Sequence, residues 1–185
     1  MLACIPALPL ACGGAAEEAA PAPDPVEVVA LGLRFARLPA GFSVAENGSR
    51  LVLEGDGTMT VEAGERSDFG LDPVTDANAQ QARFESLDGG EFLGVQKLIV
   101  PIGPAAYARG RFRRDGEAVE ETTVFVVHPT ANRMVRASYS YPAVEDAEAS
   151  RQRVQQLFEL VGEMETSGSG GTDEADAASD PSTEP

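Results

Sequence analysis

The chain has few of the residues that usually carry chemistry. Its two cysteines, Cys4 and Cys12, both fall in the first dozen of 185 positions, so the rest of the chain has no disulfide and no thiol nucleophile. His128 is the only histidine, and neither a soft-ligand metal set nor a Ser or Cys nucleophile motif accompanies it. Acids outnumber Lys and Arg by 30 to 14, a formal charge of −16, and a chain this acidic must overcome its own field to approach phosphates. A nucleic-acid partner is therefore not expected, nor is any cofactor or metal. No apolar run approaches the roughly 20 residues a spanning helix needs, and no internal repeat is evident.

The two ends differ from the middle. Residues 13–25 are rich in Ala, Pro and acid, and 166–185 contain no large apolar residue. Neither stretch can bury enough surface to offset the entropy of ordering, so both are expected to be flexible. Glu17, Glu18, Asp24, Asp173, Glu174, Asp176, Asp180 and Glu184 supply half of the net negative charge, while every basic residue lies within 26–165. That distribution suits solvation and spacing better than recognition. The scattered C-terminal acids lack the loop spacing of an EF-hand calcium site. A single domain over 26–165 is expected.

Within it, Asp115-Gly116 between two alternating runs is a strong hairpin signal, because a type I′ turn needs φ > 0 at both central residues. It pairs Arg114 with Glu117, Arg111 with Glu120 and Phe112 with Val119. Ala108, Phe112, Val119, Phe125 and Val127 then form an apolar face, and Arg109, Arg111, Arg113, Glu120 and Thr122 share the other. After the turn at 128–133 the register is open by one residue. Pairing Val127 with Val135 would add Val135, Ala137, Tyr139 and Tyr141 to the apolar face, and Arg136, Ser138 and Ser140 to the arginine face. The alternative opposes Arg136 to Phe125, so the first is expected.

Around this meander, 31–35, 50–54, 58–63 and 91–100 read as strands. Asp72-Pro73 opens a helix as N-cap and first position, with Val74, Ala77, Gln81 and Phe84 on one face and Gly89-Gly90 after its end. Residues 144–164 read as a second helix with an apolar stripe of Ala147, Val154, Leu157, Phe158, Val161 and Met164. Asn47-Gly48-Ser49 fits a glycosylation pattern, but turn chemistry accounts for it better.

Leu10-Ala11-Cys12 followed by Gly13-Gly14 resembles the end of a bacterial lipoprotein signal peptide, in which the cysteine becomes the acylated first residue. Pro9 stands where Leu is usual, and a positively charged n-region is missing. The resemblance implies lipidation at Cys12 and attachment to the bacterial envelope by acyl chains alone, facing the periplasm or exterior. The domain resembles the PsbP-like fold, shared by an extrinsic photosystem protein and DcrB-type envelope lipoproteins. The residues that carry the resemblance are Leu38-Pro39-Ala40-Gly41-Phe42, Gly103-Pro104-Ala105-Ala106 and Tyr139-Ser140-Tyr141-Pro142. It implies an α+β architecture: an α/β/α sandwich with a central antiparallel sheet, the C-terminal amphipathic helix packed on it. It also implies mostly non-enzymatic accessory or binding roles, a step made by analogy.

Among candidate sites, Arg109, Arg111, Arg113 and Arg136 on one face suit a carboxylate or phosphate, making a small anionic ligand one expectation and an envelope protein the other. The plain alternative is a solvated face neutralised by Glu120 and nearby acids. Glu120 and Glu121 point to opposite faces and cannot act on one substrate as a carboxylate pair. Asp88-Gly89-Gly90-Glu91-Phe92 lacks an acid of the cyclase signature it resembles and reads as a helix stop before a strand. The expectation is a monomeric, non-catalytic binding module. The competing readings are an enzyme of unassigned hydrolytic chemistry, using His128 or core carboxylates, and a structural spacer.

Overall fold

The computed structural model describes residues 24–66 and 71–167. Cys12, most of the 13–25 linker and residues 168–185 of the acidic tail lie outside them. Among the described residues no helix is long and apolar enough to cross a membrane.

The Asp115-Gly116 turn forms as its sequence demands, with φ of 54° and 84°. It joins β7 (Gly103–Arg114) to β8 (Glu117–Val127) in the expected register, Arg111 opposite Glu120 and Phe112 opposite Val119. The remaining elements are β1 (Val26–Val28), a 3-10 turn (Val29–Leu31), β2 (Leu33–Phe35), β3 (Ser43–Asn47), β4 (Leu51–Glu54), β5 (Thr58–Arg66), α1 (Pro73–Glu85), β6 (Glu91–Val100), β9 (Arg133–Pro142), α2 (Ala147–Gly162) and β10 (Met164–Thr166). Strands β3-β4-β5-β9-β8-β7-β6 form one antiparallel sheet in that order, and β1-β2-β10 a second, small one.

Helix α1 starts where Asp72 accepts the Val74 N–H at 3.1 Å, with buried Pro73 at its first position. It covers β6, β7 and β8 through Ala77 and Phe84, which pack with Ala106, Ala108, Phe112 and Phe125. Gln81, expected on that face, is exposed. Phe84 reaches the sheet because β7 has a glycine beneath it: a Cβ at Gly110 would stand 2.3 Å from the ring. Helix α2, capped by Asp146, lies on the opposite face with the small sheet. There Val28, Leu33, Phe35, Leu53, Met59, Val124, Val135, Tyr139, Leu157 and Leu160 belong to the larger core. The α/β/α sandwich is thus the observed architecture. Helix α2 is shorter than the 144–164 span: Ala147 is exposed, and Met164 is buried in β10 opposite Phe35.

The expected register of β9 is corrected. Val127 opposes Met134, Val126 opposes Val135, and Phe125 opposes Arg136. The turn explains the choice: the His128 N–H donates to the Arg133 carbonyl at 2.9 Å, and Asn132 adopts φ 45°. His128 Nδ1 also accepts the Thr130 and Ala131 N–H groups at 3.3 and 3.1 Å. The pairing that looked unfavourable costs little, because α1 packs mainly on β6, β7 and β8, and its cluster takes in Met134 of β9 but not Arg136. Phe125 is covered by the α1 cluster, while Arg136, one strand further, is exposed and bonded to Glu62. A one-residue slip moves every side chain of a strand to the other face. Tyr139 and Tyr141 therefore lie with the arginines, and Arg136, Ser138 and Ser140 lie on the α1 side.

Candidate functional site

The arginine face is built on two cross-strand rows. Arg111, Glu120 and Tyr141 form one, and Arg109, Thr122 and Tyr139 the next. Glu120 is fully buried. Its Oε1 accepts from the Tyr141 hydroxyl at 2.8 Å, from Ser150 of α2 at 2.9 Å and from Arg109, and its Oε2 accepts from Arg111 at 3.2 Å. Burial alone would push its carboxyl up, but hydrogen bonds from Arg109, Tyr141 and Ser150 outweigh that and hold it below the ordinary carboxylate range. Burial and the donated bond to Glu120 push the Tyr141 hydroxyl up to about 12.

Beside it, the buried Tyr139 hydroxyl donates to Asp56 at 2.6 Å and accepts from Arg153 of α2 at 3.1 Å. Burial first, then the bond to Asp56, raises its pKa. The Tyr139 and Tyr141 rings lie 4.7 Å apart, so these clusters form one polar seam under α2.

Glu121, the next residue of β8, faces α1 as alternation requires. It takes both Arg83 nitrogens, at 2.6 and 3.1 Å, the Ser140 hydroxyl at 3.0 Å and the Thr123 hydroxyl at 3.3 Å. Burial pushes this carboxyl up as well, and the Arg83, Ser140 and Thr123 contacts bring it below the ordinary range. Adjacent residues of one strand thus tie one helix to each face of the sheet.

Of the four candidate arginines, Arg109, Arg111 and Arg113 share a face, and Arg136 lies on the opposite one. Arg109 and Arg111 are bound to Glu120, and Arg136 to Glu62. Arg113 is exposed, its stem against Gly89. Among the described residues, the buried Nε atoms of Arg109 and Arg111 and the Thr122 hydroxyl have no hydrogen-bond partner. His128 is buried as the organiser of the β8–β9 turn, its Nε2 beside Gly32 and without a hydrogen-bond partner among the described residues.

Sequence reasoning missed the helix ends of these networks. Arg83 gave no signal beyond a charge in the last turn. Ser150 could have been found, since Ser150, Val154, Leu157 and Val161 keep the helical spacing that buries all four. Also missed was the outer edge of β6, which no further strand pairs among the described residues. Ile99 there is 89% exposed and lines a cleft of about 490 Å³ together with Asp72, Pro73, Val74, Lys97, Leu98 and Pro104. Among the described residues no group of three or more His, Cys, Asp or Glu is placed to hold a metal ion.

No protein-family description and no curated protein sequence matches the chain. Solved structures do. The Ran-binding protein Mog1p of Saccharomyces cerevisiae aligns with a TM-score of 0.55 at 14% identity, over 77% of this chain and 94% of that one. Cyanobacterial PsbP from Synechocystis aligns at 0.53 and 12% identity, over 77% and 91%. LpqN, involved in cell envelope biogenesis of Mycobacterium tuberculosis, aligns at 0.50 and 12% identity, over 71% and 81%. At these identities the likeness is one of fold, and the fold is the PsbP-like one expected from the sequence.

Proposed function

We propose that the chain is a non-catalytic binding module of the bacterial envelope, anchored by acyl chains on Cys12, whose ligand is a protein docking at the outer edge of β6. The observation that carries this reading is Ile99, a large apolar residue almost fully exposed on an edge strand and lining an apolar cleft. Exposed edges are normally blunted, because their unpaired N–H and C=O groups template pairing with another chain. The buried carboxylates, by contrast, are committed to holding helices. The envelope role of LpqN and the Ran binding of Mog1p fit a module of this fold that works by docking. A photo-crosslinking residue at Ile99 of the full chain, expressed in intact cells, should give a defined adduct. The same residue at exposed Thr58, on the open polar face, should give none. Cys12→Ala should release the protein from the membrane fraction.

A second reading rests on the Nε atoms of Arg109 and Arg111, which have no hydrogen-bond partner among the described residues: a small anion held at Arg109 and Arg111. A saturable rise in melting temperature with phosphate or a dicarboxylate, lost in Arg111→Ala, together with no adduct at Ile99, would replace the first reading by this one.

A further inference from the structure

We propose that the partner at the β6 edge is a second copy of this chain; the inference rests on the reading of that edge as the docking surface. A two-fold contact uses the same patch twice, so the patch must carry both halves of every interaction. This one does. Ile99 is exposed on the α1 side of β6 and forms one wall of the cleft that Pro73, Val74 and Leu98 also line, so the same residue of a partner has a place to enter beside it. Lys97 and Asp72 line that cleft together, so a copy turned about a two-fold axis brings each lysine to the other's aspartate.

The edge also limits the register. The bulge between Phe92 and Gly94, with Gly94 at φ 117°, breaks regular pairing in the first half of β6 and leaves Val95–Val100 as the usable stretch. An axis perpendicular to the sheet keeps each face on its own side, so opposed residues have the same parity. Centred on Lys97 it would oppose two lysines, which is unfavourable. Centred on Leu98 it opposes Lys97 to Ile99 of the other copy, where the lysine stem can cover the isoleucine and its amine can reach Asp72. The net negative charge of each copy resists association. At physiological salt the screening length of about 8 Å confines that repulsion to near neighbours; at this edge Lys97 and Asp72 complement each other, and Asp76, close enough to feel the Asp72 charge, is the like-charged neighbour the contact must overcome.

Sedimentation velocity of the full chain across the micromolar range at physiological salt tests this. A monomer–dimer equilibrium is expected, weakened about a hundredfold or more by Ile99→Asp, weakened by Lys97→Glu and retained in Ile99→Leu. Melting temperatures that coincide with that of the unsubstituted chain, measured at concentrations where that chain is monomeric, would show that the fold of all three is intact. A chain that stays monomeric throughout, or a dimer indifferent to both Ile99→Asp and Lys97→Glu, overturns the proposal. A monomer whose Ile99 position still crosslinks to a different protein overturns the self-pairing while leaving the docking edge standing, and no adduct of either kind removes both.

Discussion

The two faces of the main sheet solve one problem with different materials. On the α2 side the core is large: aliphatic residues of both sheets and two tyrosines fill it, and a polar seam runs through it. On the α1 side the sheet offers Ala106, Ala108 and Gly110, and the helix gains contact by approaching closely enough for Phe84 to lie on the glycine. Each face adds one buried carboxylate from β8. The contrast teaches that a thin layer can be held by close approach plus one bidentate ion pair, whereas a thick layer needs its polar groups satisfied from several directions.

The largest expected effect comes from breaking the thicker side. Glu120→Ala should cost about 3 kcal/mol, because it strands Arg109, Arg111, Tyr141 and Ser150 around a cavity without their common acceptor. Urea unfolding of the variant measures it, and a loss below that of Glu121→Ala would reverse the comparison. Gly110→Ala should cost about 2 kcal/mol on the thinner side, since Phe84 must move before a methyl fits. Proteolysis in the α1 segment should rise with it.

The two carboxylates can also be compared by titration. Both have folded-state pKa values below their ordinary values near 4.5, so each contributes stability present above that range. The contribution falls away as pH drops through the depressed folded values. The urea midpoint should therefore decline below about pH 4.5, and less steeply in Glu120→Gln/Glu121→Gln. An unchanged slope in the double variant would place the acid sensitivity elsewhere. Tyr141→Phe should cost about 1 kcal/mol, the worth of one hydrogen bond to a carboxylate that keeps its other donors. Arg136→Ala should be smallest, about 0.5 kcal/mol or less, because its pair with Glu62 is exposed to solvent. A larger loss would show that the open half of the α1 face is more structured than its exposure implies.

Much of this was legible from local rules. Asp115-Gly116 required its turn, and Asp72-Pro73 required a helix start. Alternation required Glu120 and Glu121 to part company. Where legibility failed, the deciding partner lay far along the chain. Nothing near Phe125 tells that the α1 cluster takes in Phe125 but not Arg136, so weighing that pair alone favoured the wrong register. Nothing near Met164 tells that it joins Phe35 in a strand instead of extending α2. The β6 edge was illegible for the same reason, because a strand's place in the sheet order is not written in its own residues.

The sequence by itself therefore determined the turns, the caps, the alternation of β6 to β9 and the amphipathic stripe of α2, all set by sterics and hydrogen bonding within a few residues. Only the tertiary structure decided which face each β9 side chain occupies, which helix each glutamate holds and which strands end the main sheet. Those outcomes depend on what covers each surface, and coverage is a property of the assembled layers.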